Sequence, residues 1–209
     1  SSNRTYGPTP LRTGIEQSRN LMTIRVAQDI GMDMVAKYAE RFGVYDEGQM
    51  KPFLANSLGA QETTLFKMVA AYAMFANGGE RVEPTLVDRV QDRRGRTIYR
   101  HDQRNCVGCA QIVLPAGTSP EIDTNRERVM DAVTAYQLTS MLEGAVQRGS
   151  GKGVNLPVPI AGKTGTTNDA KDVWFIGYSS NIVAGCYLGY DQPRSLGDNA
   201  FGGTLCVPV

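Results

Sequence analysis

Apolar and polar residues alternate with the period of an α-helix over much of the first two thirds of the chain. Four such stretches predict helices. They cover residues 21–30, 32–42, 63–76 and 128–146. Glycines that follow the first two stretches, Gly31 and Gly43, mark where those helices end. The residues up to about Ile15 show no such period, and we expect them to be irregular.

Between the third and fourth helices the pattern changes to that of a β-hairpin. Residues 86–91 and 96–100 are strand-like and flank a turn over residues 92–95, where glycine adopts a positive φ at little cost. Residues 101–127 carry turn and loop residues, and we expect a loop there. We expect residues 149–153, which are rich in glycine, to form a flexible loop.

The last third of the chain is patterned as strands and turns. It predicts a short strand over residues 160–167 and a β-hairpin built from residues 172–178 and 182–190. Helices followed by an antiparallel sheet are typical of an α+β domain. A length of 209 residues with 41% hydrophobic residues is enough for one globular domain with a core.

Charge and hydropathy exclude several classes of function. The formal net charge is +1, so the chain offers no basic surface for nucleic acid. No stretch approaches the roughly 18 consecutive apolar residues that a membrane span needs. Residues 1–10 are polar and contain proline and glycine, unlike a secretory signal. We therefore expect no nucleic-acid partner and no membrane contact within this chain.

The four cysteines are Cys106, Cys109, Cys186 and Cys206, and the first two form a C-x-x-C pair. A structural zinc site needs four ligands, and the single histidine of the chain, His101, is the only other ligand nearby. A loop disulfide in an oxidising compartment is favoured over zinc, and a thioredoxin-like role lacks the βαβ pattern. The sequence leaves open whether Cys106 and Cys109 are bonded.

A short strand carries the most informative residues, Lys163, Thr164, Gly165 and Thr166. Alternate side chains of a strand share a face, so Lys163 and Gly165 should face one way and the two threonines the other. Gly165 leaves the backbone open to a close neighbour. A cation, hydroxyls and free strand N–H groups suit a ligand carboxylate and a reacting carbonyl.

Two alternatives for this strand are a nucleotide-binding P-loop and a plain surface strand. A P-loop requires a glycine at position 157 and a helix after the lysine. The chain has Pro157 there, and strand-forming residues follow. We therefore reject the P-loop, whereas Lys-Thr-Gly by itself does not exclude a surface strand.

A second candidate is Ser18-x-Asn20, a hydroxyl and an amide just before the helix predicted over residues 21–30. Both side chains can point into a cleft. Serine and asparagine are also common helix caps, so capping alone is the simpler interpretation of this pair.

The two candidates together resemble a known set of motifs. Class A β-lactamases and penicillin-binding proteins use S-x-x-K, then S-D-N or a variant, then K-T-G. Ser18-Arg19-Asn20 and Lys163-Thr164-Gly165 are similar to the second and third, in order. The surrounding residues resemble class A, bifunctional penicillin-binding proteins over most of the chain, from about Gly7 to Gly203. The resembling stretches are residues 18–26, 70–79, 161–167, 172–178 and 189–191. The loop with Cys106 and Cys109 lies outside that common pattern.

The resemblance implies a penicillin-binding/serine β-lactamase-like transpeptidase fold, in which residues 1–209 form part of one domain. The nucleophile of the family is the serine of S-x-x-K, and no serine of this chain has lysine three residues later. Thr64 and Lys67 have the spacing but follow Ser18 and belong to a helix pattern. We expect a fold that is incomplete at both ends, lacking S-x-x-K and a terminal helix. We also expect a chain that is inactive alone and marginally stable.

For the intact protein the resemblance implies a peptidoglycan DD-transpeptidase that works through an acyl-serine intermediate. Ser18 would relay a proton, Asn20 would bind the substrate amide, and Lys163 would supply positive charge. The substrate-binding residues would be Thr164, Gly165 and Thr166. The expected partners are stem peptides, β-lactam antibiotics and the missing part of the domain, at the periplasmic face of the inner membrane.

No metal or organic cofactor is implied by the resemblance. A related serine β-lactamase or DD-carboxypeptidase is the first alternative, and a non-catalytic peptidoglycan-binding module is the second. The 144 residues from Asn20 to Thr164 favour the transpeptidase.

Overall fold

The computed structural model describes residues 7–109, 119–122 and 126–209. The chain divides into two units. The first consists of Ser1–Val82 with Arg128–Val209, and the second is Glu83–Glu127. The first unit holds helices and an antiparallel sheet, and the second holds short strand pairs, so the predicted α+β class is confirmed.

The described residues form five α-helices, all in the first unit. They are α1 (Leu11–Glu16), α2 (Asn20–Ile30), α3 (Met32–Arg41), α4 (Leu65–Ala76) and α5 (Ala132–Gln147). The last four confirm the predicted helices. Helix α1 shows that the expectation of an irregular opening was wrong, because six residues are too few for a period to show. Within the described ranges no helix combines the length and hydropathy needed to cross a bilayer.

Seven strands are described. They are β1 (Arg89–Gln91), β2 (Thr97–Arg100), β3 (Cys106–Val107), β4 (Glu121–Ile122), β5 (Ala161–Thr166), β6 (Asp172–Tyr178) and β7 (Val183–Gly189). The antiparallel pair β1–β2 confirms the predicted hairpin of the second unit. Strands β3 and β4 pair inside the predicted loop over residues 101–127. The rest of that loop, residues 110–118 and 123–125, lies outside the described residues.

Strands β5, β6 and β7 form one antiparallel sheet in that order, as predicted. Its register aligns Thr164 with Phe175 and Phe175 with Cys186. Helices α4 and α5 pack on one face of the sheet, and a π-helical turn, Gly202–Cys206, contacts all three strands. The sheet therefore lies between the helices and this C-terminal turn.

An apolar cluster anchors strand β5 to helix α5. Leu142, Ala161 and Tyr178 are all buried in it. The hydroxyls of Tyr178 and Thr139 lie 2.9 Å apart, which satisfies the polar end of the buried tyrosine. Burial of each large apolar side chain contributes about 1.5–3 kcal/mol, so this cluster holds the strand in place.

The segment where the chain leaves the first unit lies beside the segment where it re-enters that unit. Glu80 and Arg128 form an antiparallel bridge, and the Val129 N–H donates to the Gly79 carbonyl at 2.8 Å. Gly79 has a φ of 88°, and a Cβ there would lie 2.3 Å from the Met130 carbonyl oxygen. Glycine is therefore required where the two chain segments meet.

The four cysteines form two disulfides. Cys106 bonds Cys109 in the second unit, which is the pairing that the sequence favoured over zinc. Cys186 of β7 bonds Cys206 of the C-terminal turn, a pairing that the sequence did not predict. The second disulfide joins strand β7 to the C-terminal turn, between two cysteines that are 20 positions apart.

Candidate active site

Ser18 lies in the turn that joins α1 to α2. Helix α1 ends with Ser18 N–H donating to Ile15 O at 3.1 Å. The Arg19 N–H then donates to Gly14 O at 2.9 Å, which completes a Schellman motif. The motif puts Ser18 at a φ of 52°, a left-handed conformation in which glycine is the usual residue. A strained serine at this position points to a role for its side chain.

The side chain of Lys163 joins the two sequence motifs. Its Nζ donates to Ser18 Oγ at 2.7 Å and to the Thr164 carbonyl oxygen at 2.9 Å. Capping is the wrong interpretation of Ser18 and Asn20. The cap position of α2 is Arg19, and no side chain caps the helix. Asn20 is instead the first residue of α2 and lines the cleft described below.

Burial lowers the pKa of Lys163 to about 8. Removing an ammonium from water disfavours its charged form, so the lysine loses its proton more readily than an exposed lysine does. Lys163 is thus a cation at neutral pH but sits close to its titration point. Below that pH it donates to Ser18 as an ammonium.

Thr164 and Thr166 face away from Lys163, as the strand period predicted. Thr164 Oγ1 donates to Ser150 Oγ at 2.7 Å, and Thr166 Oγ1 accepts from the Gly202 N–H at 3.1 Å. Each threonine hydroxyl therefore has one partner that fixes its orientation, and each retains capacity for a ligand.

The backbone N–H of Thr166 points to the open side of strand β5. Hydrogen-bonded pairs alternate along an antiparallel ladder. The next residue, Thr167, donates its N–H to Asp172 O at 3.0 Å, so Thr166 falls in a pair that points outward. Because β5 is an edge strand of the described sheet, this N–H is available at the cleft.

Gly165 does not line the cleft. A Cβ at this position would lie 3.2 Å from the Cβ of Trp174, its partner on β6. The space that the glycine leaves is therefore taken up by the sheet itself, and a part for Gly165 in substrate binding stays a prediction.

Glu16 connects the Ser18 turn to the turn around Ser150. Its carboxylate is buried and accepts two hydrogen bonds from the Arg148 guanidinium, one of them at 3.0 Å from Nε to Oε2. Its carbonyl accepts from the Ser150 N–H at 3.1 Å. A Cβ at Gly149 would lie 2.0 Å from that carbonyl oxygen, so glycine allows this close approach.

Replacing Glu16 by alanine is expected to lower the free energy of unfolding by about 2 kcal/mol, because it removes both carboxylate hydrogen bonds of a buried ion pair. Urea unfolding followed by Trp174 fluorescence measures the change. The control is Lys67→Ala, which breaks a pair with the mostly exposed Asp46 and should cost about 0.5 kcal/mol or less. Equal losses in the two variants would contradict the conclusion that the buried Glu16–Arg148 pair stabilises the fold more than an exposed pair does.

A cleft of about 490 Å³ collects these groups at the edge of β5. Its lining residues are Ser18, Asn20, Ser150, Lys152, Thr164, Thr166, Phe201, Gly203 and Thr204. Sequence reasoning missed five of them, Ser150, Lys152, Phe201, Gly203 and Thr204. Ser150 and Lys152 belong to the stretch expected to be a flexible loop. The only sequence signal that could have identified this stretch as part of the cleft is Ser150, which lies between two glycines shortly before strand β5.

Two motif alternatives are settled by the structure. Lys163 lies inside strand β5, which continues to Thr166 instead of opening a helix at the lysine, and this agrees with the rejection of a P-loop. Thr64 is the cap of α4 and accepts the N–H of Lys67 at 3.2 Å, while Lys67 Nζ pairs with Asp46 at 2.8 Å. The Thr64–Lys67 spacing is therefore that of a helix cap, at the start of the helix that the sequence predicted over residues 63–76.

The cleft thus combines a hydroxyl bonded to a cation, an amide, two oriented hydroxyls and an outward N–H. The pair Lys163–Ser18 can pass a proton and hold negative charge. Thr164 and Thr166 can hydrogen-bond a carboxylate, and the N–H can stabilise a developing oxyanion. This chemistry suits acyl transfer when a nucleophile is added.

The chain is similar to known penicillin-binding proteins over almost its whole length. Penicillin-binding protein 1A of Rickettsia conorii is 43% identical over 207 residues, which are 97% of this chain and 26% of that protein. The chain thus spans about a quarter of this relative's length. The crystal structure of penicillin-binding protein 1A from Haemophilus influenzae superposes with a TM-score of 0.79 at 31% identity, covering 96% of this chain and 33% of that one.

A more distant structure has the same fold. It is the PonA1 protein from Mycobacterium tuberculosis in complex with penicillin V, with a TM-score of 0.71, 21% identity, and coverage of 91% of this chain and 51% of that chain. The model of the penicillin binding protein transpeptidase domain matches residues 1–199. The chain belongs to the penicillin-binding protein transpeptidase domain family.

Proposed function

We propose that the protein containing this chain is a peptidoglycan DD-transpeptidase, which cross-links stem peptides by acyl transfer from D-Ala-D-Ala. The observation that carries the proposal is the 2.7 Å contact between Lys163 Nζ and Ser18 Oγ beside Asn20 and the two threonines. Membership of the transpeptidase domain family supports the same reaction class. A β-lactamase or carboxypeptidase has no observation in its favour.

The nucleophile is the serine of an S-x-x-K segment that lies outside this chain, since none of the ten serines here has the required lysine. That serine attacks the penultimate carbonyl of the donor stem peptide, and D-Ala leaves with a proton. The amine of a second stem peptide then attacks the acyl-serine and forms the cross-link. The covalent intermediate divides one difficult step into two easier ones.

Ser18 and Lys163 handle the proton. Ser18 Oγ accepts from the Lys163 ammonium and can pass its own proton to the leaving amine, then recover one from the attacking amine. Asn20, at the start of α2, hydrogen-bonds the amide of the substrate. The strained conformation of Ser18 keeps its hydroxyl at this position rather than in a helix cap.

Thr166 and Thr164 bind the terminal carboxylate of the donor. Thr166 Oγ1 accepts from Gly202, so its own proton is free to be donated to a carboxylate oxygen. The outward N–H of Thr166 is one donor of the oxyanion hole. Removing one such donor typically costs about 3–4 kcal/mol in the transition state.

β-Lactams resemble the donor peptide and are expected to acylate the same serine. The PonA1 structure contains penicillin V, and a penicillin-binding protein A structure from Mycobacterium tuberculosis is an imipenem acyl-enzyme complex. The site is proposed to act at the periplasmic face of the inner membrane, where stem peptides are found, with the rest of the transpeptidase domain as its partner.

Intact mass after incubation with benzylpenicillin tests the proposal. The full-length protein is expected to gain one penicillin per chain and to keep it, since a transpeptidase stays acylated whereas a β-lactamase turns penicillin over. A variant with Cys106→Ala should be acylated like the wild type, because Cys106 lies in the second unit. No adduct on the full-length protein overturns the proposed function.

The 209-residue chain is the second sample, and it should gain no mass. A stoichiometric adduct on this chain would mean that a serine or threonine within it is the nucleophile. The assignment of Ser18 as a proton relay would then be wrong.

A further inference from the structure

The C-terminal turn, Gly202–Cys206, crosses the sheet face that carries the threonines. On that face the register aligns Thr164 of β5, Phe175 of β6 and Cys186 of β7 in one row. The turn contacts all three strands, and its last residue, Cys206, bonds Cys186. It therefore reaches from the cleft edge of the sheet to the opposite edge strand.

The start of the turn is fitted closely to strand β5. The Gly202 N–H donates to Thr166 Oγ1 at 3.1 Å. A Cβ on Gly202 would lie 2.2 Å from the Trp174 carbonyl oxygen and 2.7 Å from that of Gly165. Gly202 thus lies directly against the backbone of the sheet, and its position decides how the Thr166 hydroxyl is oriented.

The end of the turn is held by a buried disulfide. Cys206 is 2% exposed, and its Sγ lies 3.5 Å from the Val173 carbonyl oxygen. The bond to Cys186 fixes this end to β7 in addition to packing. Cys206 lies beyond residues 1–199, the part of the chain that matches the family model.

The same segment forms one wall of the cleft. Phe201, Gly203 and Thr204 line it, and Phe201 is 51% exposed. A short turn fixed at both ends has few ways to move, whereas a turn fixed at one end can lift away from the sheet. The disulfide therefore limits the movement of this wall, and it also keeps Gly202 in place to donate its hydrogen bond to Thr166.

We propose that the Cys186–Cys206 disulfide positions the carboxylate-binding side of the cleft. It holds Gly202 against β5, so that the Thr166 hydroxyl accepts from Gly202 and donates to the carboxylate of the ligand. The proposal rests on the function proposed above, in which Thr166 binds the terminal carboxylate. The two cysteines are positioning residues, since neither lines the cleft.

The experiment compares two double variants of the full-length protein. Cys186→Ala with Cys206→Ala removes the positioning disulfide, and Cys106→Ala with Cys109→Ala removes the other one as the matched control. Acylation by benzylpenicillin and by its methyl ester, which lacks the free carboxylate, is measured well below the melting temperatures of all proteins. Without the positioning disulfide, acylation by the acid should fall on the order of 10- to 100-fold, as expected for a displaced binding group.

The ratio of acid to ester acylation separates positioning from general stability. Loss of the Thr166 contact should lower the acid rate and leave the ester rate almost unchanged, so the ratio should fall. The control variant should keep the wild-type ratio. If the acid and ester rates fall equally, or neither changes, the disulfide does not act through the carboxylate and the proposal is overturned.

A folding failure and a failure of the proposed function give different results. If the double alanine variant does not fold, we use the single variant Cys186→Ser, which leaves the buried Cys206 in place. Its ratio of acid to ester acylation rates is measured in the same way, and the same two outcomes support or overturn the proposal. If the wild type itself is not acylated by benzylpenicillin, the proposed function falls and this inference falls with it. A normally acylated wild type with an unchanged ratio in the variants overturns only the inference.

Discussion

Replacing Lys163 by alanine in the full-length protein is expected to slow acylation by penicillin by about two to three orders of magnitude. The change removes the donor to Ser18 Oγ and the positive charge that Lys163 holds beside that hydroxyl. The melting temperature should change little. Burial lowers the pKa of Lys163 because the charged amine is disfavoured inside the fold. The alanine variant therefore loses two hydrogen bonds but no longer bears the free-energy cost of burying that charge.

The pH profile provides an independent measurement of the same residue. If the ammonium form is the active one, acylation by the wild type should decline as the pH rises through about 8, the pKa of Lys163. The stability effect has the opposite sign. Between about pH 8 and 10.5, the ordinary pKa of a lysine, the unfolded chain binds a proton that the folded chain does not, so stability rises with pH in that window.

Two outcomes would contradict the assignment of Lys163. One is an unchanged acylation rate in the alanine variant. The other is a wild-type rate that increases through pH 8, which would indicate that the neutral amine acts as a base towards Ser18. The control is the Cys106→Ala variant, which is altered in the second unit. It should be acylated at the wild-type rate, so a loss of rate in both variants would not be specific to Lys163.

Replacing Ser18 by glycine is expected to abolish most acylation without loss of stability. The variant lacks the hydroxyl that we propose relays the proton, and general acid–base groups contribute about 10²–10⁴-fold. Glycine also adopts the left-handed conformation of position 18 without strain. The comparison is with Ser18→Ala, which should be equally inactive but less stable than the glycine variant by about 1 kcal/mol.

Acylation rates and urea unfolding of both variants give the two measurements. Retention of acylation by the glycine variant would show that Ser18 serves only to end helix α1. An alanine variant as stable as the glycine variant would show that the turn relaxes and that the serine is not strained.

The local elements of this fold were well predicted from the sequence. Strand β6 was predicted with its observed bounds, Asp172–Tyr178, because its apolar and aromatic residues are bounded by turn residues. Helix α2 was predicted to within one residue because its period is unbroken. The strand that contains Lys163 was predicted one residue too long at each end, which is within the usual uncertainty of strand boundaries.

The parts that could not be predicted depend on contacts between distant residues. Whether Ser18 caps a helix or meets Lys163 is decided by a contact across 145 positions. Likewise, Glu16 meets Arg148 across 132 positions, and this pair brings the Ser150 turn to the cleft. Neither the local pattern nor the turn chemistry of these segments carries information about such a partner.

The Cys186–Cys206 pairing illustrates the same limit. Four cysteines allow three pairings, and because the sequence left open whether Cys106 and Cys109 are bonded, it did not assign a partner to Cys186. Only the sheet register and the path of the C-terminal turn bring these two sulfurs together. The wall residues Phe201 and Thr204 were missed for the same reason, because they reach the cleft only after the turn folds back on β5.

The bridge between Glu80 and Arg128 has a consequence for how this domain can change in evolution. The chain re-enters the first unit beside the point where it left, and the backbone bonds between Gly79 and Val129 close that gap. Segments inserted between such paired ends can vary in length at an entropic cost that grows only logarithmically. Residues 83–127 are therefore the natural place for lineages to gain or lose sequence while Ser18 and Lys163 keep their contact.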